Sequence, residues 1–353
     1  MSYVRLVDVQ KRFGQVVAVD RLNLGIEKGE CFSMLGPSGC GKTTTLRMIA
    51  GFEDLNEGEI HVGDRLLSSS RKRFYLPPEK RDFGMVFQAF AVWPHLTVYE
   101  NVAFPLRLRK LPTSDIERRT HGALEATNLL DVAQKSPASL SGGGKQRVAL
   151  ARALAINPDV MLLDEPLSSL DPHLREEMRF EIKDLQRQFG FSIIYVTHDQ
   201  SEAMALSDRI LVMRLGVVQQ IDTPLNVYSH PANRFVFSFI GLSNFLDVER
   251  DGDGPCRVAG GGGTLPVSPP AGMGSRLSLA FRPQEVGFGT KGTVDGEVQR
   301  KSFLGEVVDY QIKVGEQSVR VQTGRRSPGP EAGETCHLDI RRPFWYPAEE
   351  PEG

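Results

Sequence analysis

The sequence predicts an α/β domain built on a largely parallel sheet and interrupted by a helical insertion, then a small all-β domain. Three observations predict it. Short apolar runs recur between stretches of helical periodicity. A glycine-rich turn joins one such run to a helix. Beyond about residue 240 the composition shifts to short alternating segments punctuated by Gly and Pro.

Tyr3 to Val9 reads as a strand, and Leu22 to Ile26 alternates apolar and polar as a half-buried strand does. Lys28-Gly29 marks a turn, and Cys31 to Leu35 is apolar throughout, as in a buried parallel strand. A helix is expected over Lys42 to Ala50. Phe83–Phe87, Val160–Leu163, Ile193–Val196 and Ile210–Met213 supply further buried strands. Leu174, Met178, Ile182, Leu185 and Phe189 share one face of a helix. Between about 89 and 157 the pattern is helical: Ser114 and Glu117 suggest a capping box, and Ile116, Thr120, Ala123, Leu124 and Thr127 a stripe. The boundary is expected at 240, with 241–353 forming the β-domain. Gly260–Gly263, Pro266, Pro269 and Pro270 separate strands such as Glu306–Val314 and Ser318–Val321 there.

Bulk properties narrow the function. The 353 residues carry 42 Lys and Arg against 44 Asp and Glu, a net charge of −2, so no basic field points to nucleic acid. Cys31, Cys40, Cys256 and Cys336 form no Cys-x-x-Cys pair, which argues against a zinc site or a disulfide framework. No apolar secretion segment is read at the start, and no run reaches the roughly 18 apolar residues of a spanning helix. A membrane role is therefore expected to come through a partner.

The strongest motif is Gly36-Pro37-Ser38-Gly39-Cys40-Gly41-Lys42-Thr43, between a strand and a helix. It matches the phosphate-binding pattern G-x-x-x-x-G-K-[ST], whose backbone N–H groups and helix N-terminus surround phosphate oxygens. Lys42 is expected to reach the β- and γ-phosphates and Thr43 to ligate Mg²⁺. Val160-Met161-Leu162-Leu163-Asp164-Glu165 is an apolar strand ending in acids. Asp164 would bind Mg²⁺ and Glu165 would polarise the attacking water. Together these motifs define a P-loop NTPase, and the Asn-Lys-x-Asp element of GTP-specific members is missing.

Leu140-Ser141-Gly142-Gly143-Gly144-Lys145-Gln146-Arg147 decides among such enzymes. It resembles the signature of the ABC ATPases, usually L-S-G-G-Q, with Gly144 in place of Gln. The resemblance implies that ATP lies between the P-loop of one subunit and Ser141, Gly142 and Gly143 of a second. It also implies roles for Gln88 as the residue sensing Mg²⁺ and water, His198 as the γ-phosphate switch, and Asp171 in the turn that crosses to the partner. Phe13 and Ala18 correspond to residues against adenine, and Thr44 follows Thr43 at the nucleotide. Thr223-Pro224, Phe239-Ile240-Gly241, Phe281-Arg282-Pro283 and Phe303-Leu304-Gly305 resemble an importer subfamily with a C-terminal oligonucleotide/oligosaccharide-binding-like domain. An importer ATPase is thus expected, peripheral on the cytoplasmic face of the inner membrane. It would work as a homodimer with two transmembrane permeases, and a solute-binding protein would act indirectly. Ala89–His95 is expected to offer Phe90, Val92 and Trp93, exposed, to the permeases. Residues 75–110 lean towards ferric iron or polyamine as cargo. A non-transport ABC ATPase and a regulatory subunit with weakened hydrolysis are the rival readings.

Overall fold

The computed structural model describes residues 2–250, 254–265, 267–289, 294–327 and 329–348. It divides into two compact units, Met1–Ala232 and Asn233–Gly353. The division falls before 240 because the short helix Arg234–Phe239 is counted with the β-rich unit.

In the first unit β1 (Val4–Phe13) and β2 (Val16–Ile26) precede β3 (Cys31–Leu35) and helix α1 (Lys42–Ala50). An antiparallel run follows: β4 (Glu57–Val62), β5 (Arg65–Ser69) and β6 (Phe74–Tyr75). After β7 (Gly84–Val86) come α2 (Val98–Leu108), α3 (Thr113–Ala126) and α4 (Gly142–Ala155), which make the insertion. The chain then alternates through β8 (Val160–Asp164), α5 (Pro172–Phe189), β9 (Ser192–Thr197), α6 (Gln200–Leu206), β10 (Arg209–Arg214), β11 (Val217–Asp222) and α7 (Pro224–Ser229). One sheet has the order β2-β1-β4-β5-β6, and the other β11-β10-β3-β9-β8-β7. The second is parallel from β10 to β7, with β11 antiparallel at its edge. Its central strands are apolar because both faces are covered: all five residues of β3 and all six of β9 are buried.

The expected capping box does not form. Pro112 occupies the cap of α3, so Ser114 already lies inside the helix and caps nothing. The capping box of the insertion is at α2 instead, where Thr97 Oγ1 accepts from Glu100 N and Glu100 Oε2 accepts from Thr97 N. On α5, Met178, Ile182 and Leu185 are buried, whereas Phe189 is exposed at the helix end.

Besides α8 (Arg234–Phe239), the second unit is built of strands. β12 (Asn244–Arg250), β13 (Cys256–Val258), β14 (Arg276–Phe281) and β20 (Phe344–Pro347) form one sheet. β15 (Val286–Gly289), β16 (Val294–Phe303), β17 (Val307–Val314), β18 (Gln317–Gly324) and β19 (Thr335–Ile340) form the other. Alternating residues such as Val308, Tyr310, Ile312 and Val314 fill its core. Pro266 lies outside the described residues.

Candidate nucleotide site

The loop Gly36–Gly41 leaves β3 and enters α1. Glycine is required twice by close backbone approach. A Cβ on Gly36 would collide with the carbonyl of Met213, and one on Gly41, at φ 108°, with that of Ala18. The loop therefore sits tightly against its neighbours, and its N–H groups border a cleft of about 210 Å³. Ala18, Ser38, Gly39, Cys40, Gly41, Lys42, Thr43, Thr44 and Glu165 line it.

Lys42 is buried, and its Nζ donates to the carbonyl oxygens of Gly36 at 2.7 Å and Pro37 at 2.9 Å. Among the described residues no carboxylate pairs with it. A buried ammonium that makes no direct ion pair, and feels Asp164 only at longer range, leaves positive charge at the cleft that favours an anion. Thr43 Oγ1 donates to Asp164 Oδ1 at 3.3 Å. Burial pushes the Asp164 carboxyl above the ordinary aspartate range; the Thr43 hydrogen bond opposes this and the neighbouring Glu165 reinforces it.

Glu165 follows β8 with φ 45°, a left-handed conformation that a non-glycine residue adopts only when its surroundings impose it. Here Glu165 N donates to Val196 O at 2.9 Å, and Ser168 Oγ donates to Glu165 O at 2.9 Å. The result aims the carboxylate at the cleft. Two further side chains converge on one of its oxygens, Oε2: His198 Nδ1 at 3.0 Å and, more distantly, Gln88 Nε2 at 3.5 Å. Three residues from the ends of β7, β8 and β9 are thereby brought to one point.

The signature segment is placed differently. Ser141 caps α4, its Oγ accepting from Gly144 N at 3.2 Å. Asp171 caps α5 in the same way through Leu174 N at 3.0 Å. These two helix starts pack together: a Cβ on Gly142 would stand 3.2 Å from Leu170, and one on Gly143 2.7 Å from Leu174. Ser141, Gly142, Gly143 and Asp171 are not among the residues lining the P-loop cleft. The P-loop cleft and the packed pair of helix starts are thus separate features of the chain. At Gly144 a Cβ would meet Leu140 Cβ at 3.0 Å, so a larger residue there requires Leu140 to yield.

Phe13, at the end of β1, is half exposed with Lys11 Nζ 4.9 Å from its ring centroid, and does not line the cleft. The segment 89–95 departs from expectation. Phe90, Val92 and Trp93 are half-buried rather than exposed, with Phe90 and Val92 packed on the core of the insertion. Arg152 explains this: it donates to Ala91 O at 2.6 Å and Phe90 O at 3.2 Å, and its guanidinium lies 4.6 Å from the Trp93 ring centroid. Sequence reasoning passed over Arg152, Arg175 and Glu202. Their signal was a charged residue at a buried helical phase, as with Glu202 one turn before Leu206.

Comparison with known proteins places the chain in a family. The ABC transporter family model matches residues 19–168. The trehalose/maltose import ATP-binding protein MalK of Thermococcus litoralis is 53% identical over 256 residues, 72% of this chain and 69% of the relative. The spermidine/putrescine import ATP-binding protein PotA of Rubrobacter xylanophilus is 48% identical over 320 residues, 88% and 83% of the two chains. A dimeric ATP-binding cassette solved after hydrolysis with ADP and phosphate superposes with TM-score 0.54 at 33% identity, covering 63% of this chain and 98% of its own. A component of an ABC transporter complex from Clostridium perfringens gives 0.60 at 29% identity, covering 65% and 92%.

The fold and the cleft define an ABC-type ATPase, and the chain belongs to the ABC transporter family of ATP-binding proteins. Within it the chain is an ATPase that drives solute import, with an additional C-terminal β-region. Among the described residues no helix is long and apolar enough to cross a membrane.

Proposed function

We propose that Lys42, Ser38 to Thr44 and the backbone of the P-loop bind the ATP phosphates, that Glu165 is the general base, and that Gln88 and His198 hold its carboxylate in place. The observation that carries this is the convergence of His198 and Gln88 on Glu165 Oε2 at the edge of the cleft. A carboxylate within hydrogen-bond reach of a phosphate-bound water can accept its proton. Phe13 and Ala18 would flank the adenine.

Thr43, which lines the cleft, and Asp164, which accepts from its hydroxyl, both offer oxygen and suit Mg²⁺. Among the described residues no group of three His, Cys, Asp or Glu could hold a metal. Phosphate oxygens and water would therefore complete the shell. When bound, Mg²⁺ would neutralise developing charge on the phosphates. Lys42 would contribute a second positive charge, and the N–H groups would orient the phosphates without reorganising.

Ser141, Gly142, Gly143 and Asp171 would complete the site of a second copy, making the working ATPase a homodimer. Two transmembrane permeases would hold that dimer at the cytoplasmic face of the inner membrane, and a solute-binding protein would deliver cargo to them. The exposed residues of the 89–95 turn, Ala89, Ala91, Pro94 and His95, are the part available to a permease. For the cargo the reading is a polyamine, supported by the alignment of spermidine/putrescine import proteins over as much as 94% of this chain. The experiment is uptake of labelled putrescine by cells lacking this gene. Wild type should restore it and Lys42→Ala should not. Restored trehalose uptake with unchanged putrescine uptake would replace the polyamine by a sugar. Restoration by Lys42→Ala would remove the P-loop from the mechanism.

A further inference from the structure

Arg175, on the first turn of α5, reaches three places with one guanidinium. Nη2 donates to Leu170 O at 3.1 Å, Nη1 to Asp199 Oδ2 at 3.2 Å, and Nε lies 3.7 Å from Glu202 Oε1. Glu202 is 2% exposed. Its Oε2 accepts from Tyr195 OH at 2.8 Å and from Thr197 Oγ1 at 2.7 Å. Asp199 N in turn donates to Thr197 Oγ1 at 2.9 Å. The residues on both sides of His198 are therefore fixed to this cluster. Among the described residues Arg175 is the cation that pairs with Glu202, and removing one partner of a buried pair leaves an uncompensated charge.

We propose that Arg175 is a positioning residue for hydrolysis, holding His198 against Glu165 and tying that histidine to the turn at Leu170. This rests on the assignment of His198 to the site. The physical basis is the planar fork. Arg175 can bond the Leu170 carbonyl and Asp199 simultaneously while keeping its charge near Glu202. Lysine has the charge but not the fork, so it could satisfy the acids or the carbonyl, not all at once. Leu170 belongs to the turn that leads into the Asp171 cap, packed against Gly142. A displacement of that turn by a second subunit would thus reach His198 through one guanidinium bonded at both ends.

The test is a double-mutant cycle on ATP hydrolysis with purified full-length protein. Arg175→Met should lower kcat at least about tenfold while KM for ATP stays within about twofold, because the P-loop is untouched. Arg175→Lys should recover part of that loss. In a His198→Ala background Arg175→Met should add nothing further, since both act through one group. A second readout needs no turnover. The chain has seven histidines, and the ring signals lost in His198→Ala identify His198 in ¹H–¹⁵N correlation spectra. Arg175→Met should shift those signals and leave the other six sets in place. Should Arg175→Met fail to fold, Arg175→Lys carries both comparisons. If His198→Ala is slow while Arg175 variants keep wild-type kcat and unshifted His198 signals, the positioning role is wrong and the site assignment stands. Additive losses in the cycle also overturn it. Wild-type kcat in His198→Ala overturns the site assignment and this inference together.

Discussion

His198 Nδ1 stands 3.0 Å from Glu165 Oε2, although the two residues close different strands of the sheet. Parallel strands end side by side, so residues 33 positions apart in the chain meet at one edge of the cleft. With Oε2 engaged by His198 and Gln88, Oε1 is the oxygen left free of them, and under the proposed general-base role it would take the proton from water.

Glu165→Gln should therefore slow hydrolysis by about 10²- to 10⁴-fold, the range for a lost general base. It should leave phosphate contacts intact, since Lys42 and the loop are unchanged. The negative charge facing the γ-phosphate also disappears, which favours closure of two copies around ATP. Size-exclusion chromatography in Mg-ATP should show a dimer more readily for this variant than for wild type. A variant that hydrolyses at the wild-type rate would move the base role away from Glu165.

Asp164 gives a prediction with a definite sign. Burial, against the Thr43 bond and with the Glu165 charge, raises its folded pKa above the unfolded value. The folded state thus disfavours the carboxylate. That penalty is fully present above the folded pKa and fades as pH falls towards the unfolded aspartate value of about 3.9. Asp164→Asn, which retains an acceptor for Thr43, should raise Tm at neutral pH in the absence of nucleotide and magnesium. The gain should shrink as pH falls. A variant less stable than wild type at neutral pH would show that the carboxylate stabilises the empty fold.

Much of this was legible in the sequence. α1 runs over Lys42–Ala50 as the periodicity and the Gly-rich turn predict, and β3 over Cys31–Leu35. The convergence on Glu165 was legible only through the family pattern, because nothing in the sequence itself says that Gln88, Glu165 and His198 end adjacent strands. Three features were not legible. Ser114 and Glu117 have the spacing of a capping box, but with Pro112 at the cap the helix starts two residues earlier than that box requires. Phe90 and Trp93 read as surface until Arg152, 62 and 59 residues away, turns their segment inward. Arg175 and Glu202 sit at buried phases of their helices, but only the tertiary fold brings the Glu202 carboxylate to Arg175 and to Thr197, the residue before His198.

The two units should be separable. The buried apolar clusters of the first draw on residues up to Met213, and that of the second begins at Leu246. A chain ending at Ala232 should accordingly fold, bind ATP and unfold cooperatively. Circular dichroism and nucleotide titration check this. Insolubility, or loss of ATP binding with retained helix content, would show that residues 233–353 belong to the folding unit of the ATPase.

The last prediction concerns which chain completes the site. Ser38 lines the P-loop cleft, whereas Ser141 caps α4 and packs beside the Leu170 turn, outside that lining. Both serines are exposed, so each can accept a crosslinker as cysteine. The native cysteines must first be replaced, Cys40 above all, because it shares the cleft with Ser38. In that background Ser38→Cys with Ser141→Cys should crosslink between chains, and Mg-ATP should raise the yield. Mixing the two single variants separates the models without relying on turnover. A site shared between subunits gives a Ser38→Cys to Ser141→Cys dimer on mixing. A site completed within one chain gives a crosslink in the double variant alone, at monomer mass. Ser141→Arg adds the energetic counterpart, since a bulky cation at the start of α4 should stop hydrolysis in the homodimer while ATP still binds at each Lys42. If Ser141→Arg instead abolishes ATP binding by the isolated subunit, the Ser141 turn serves its own chain's nucleotide and the shared site is excluded.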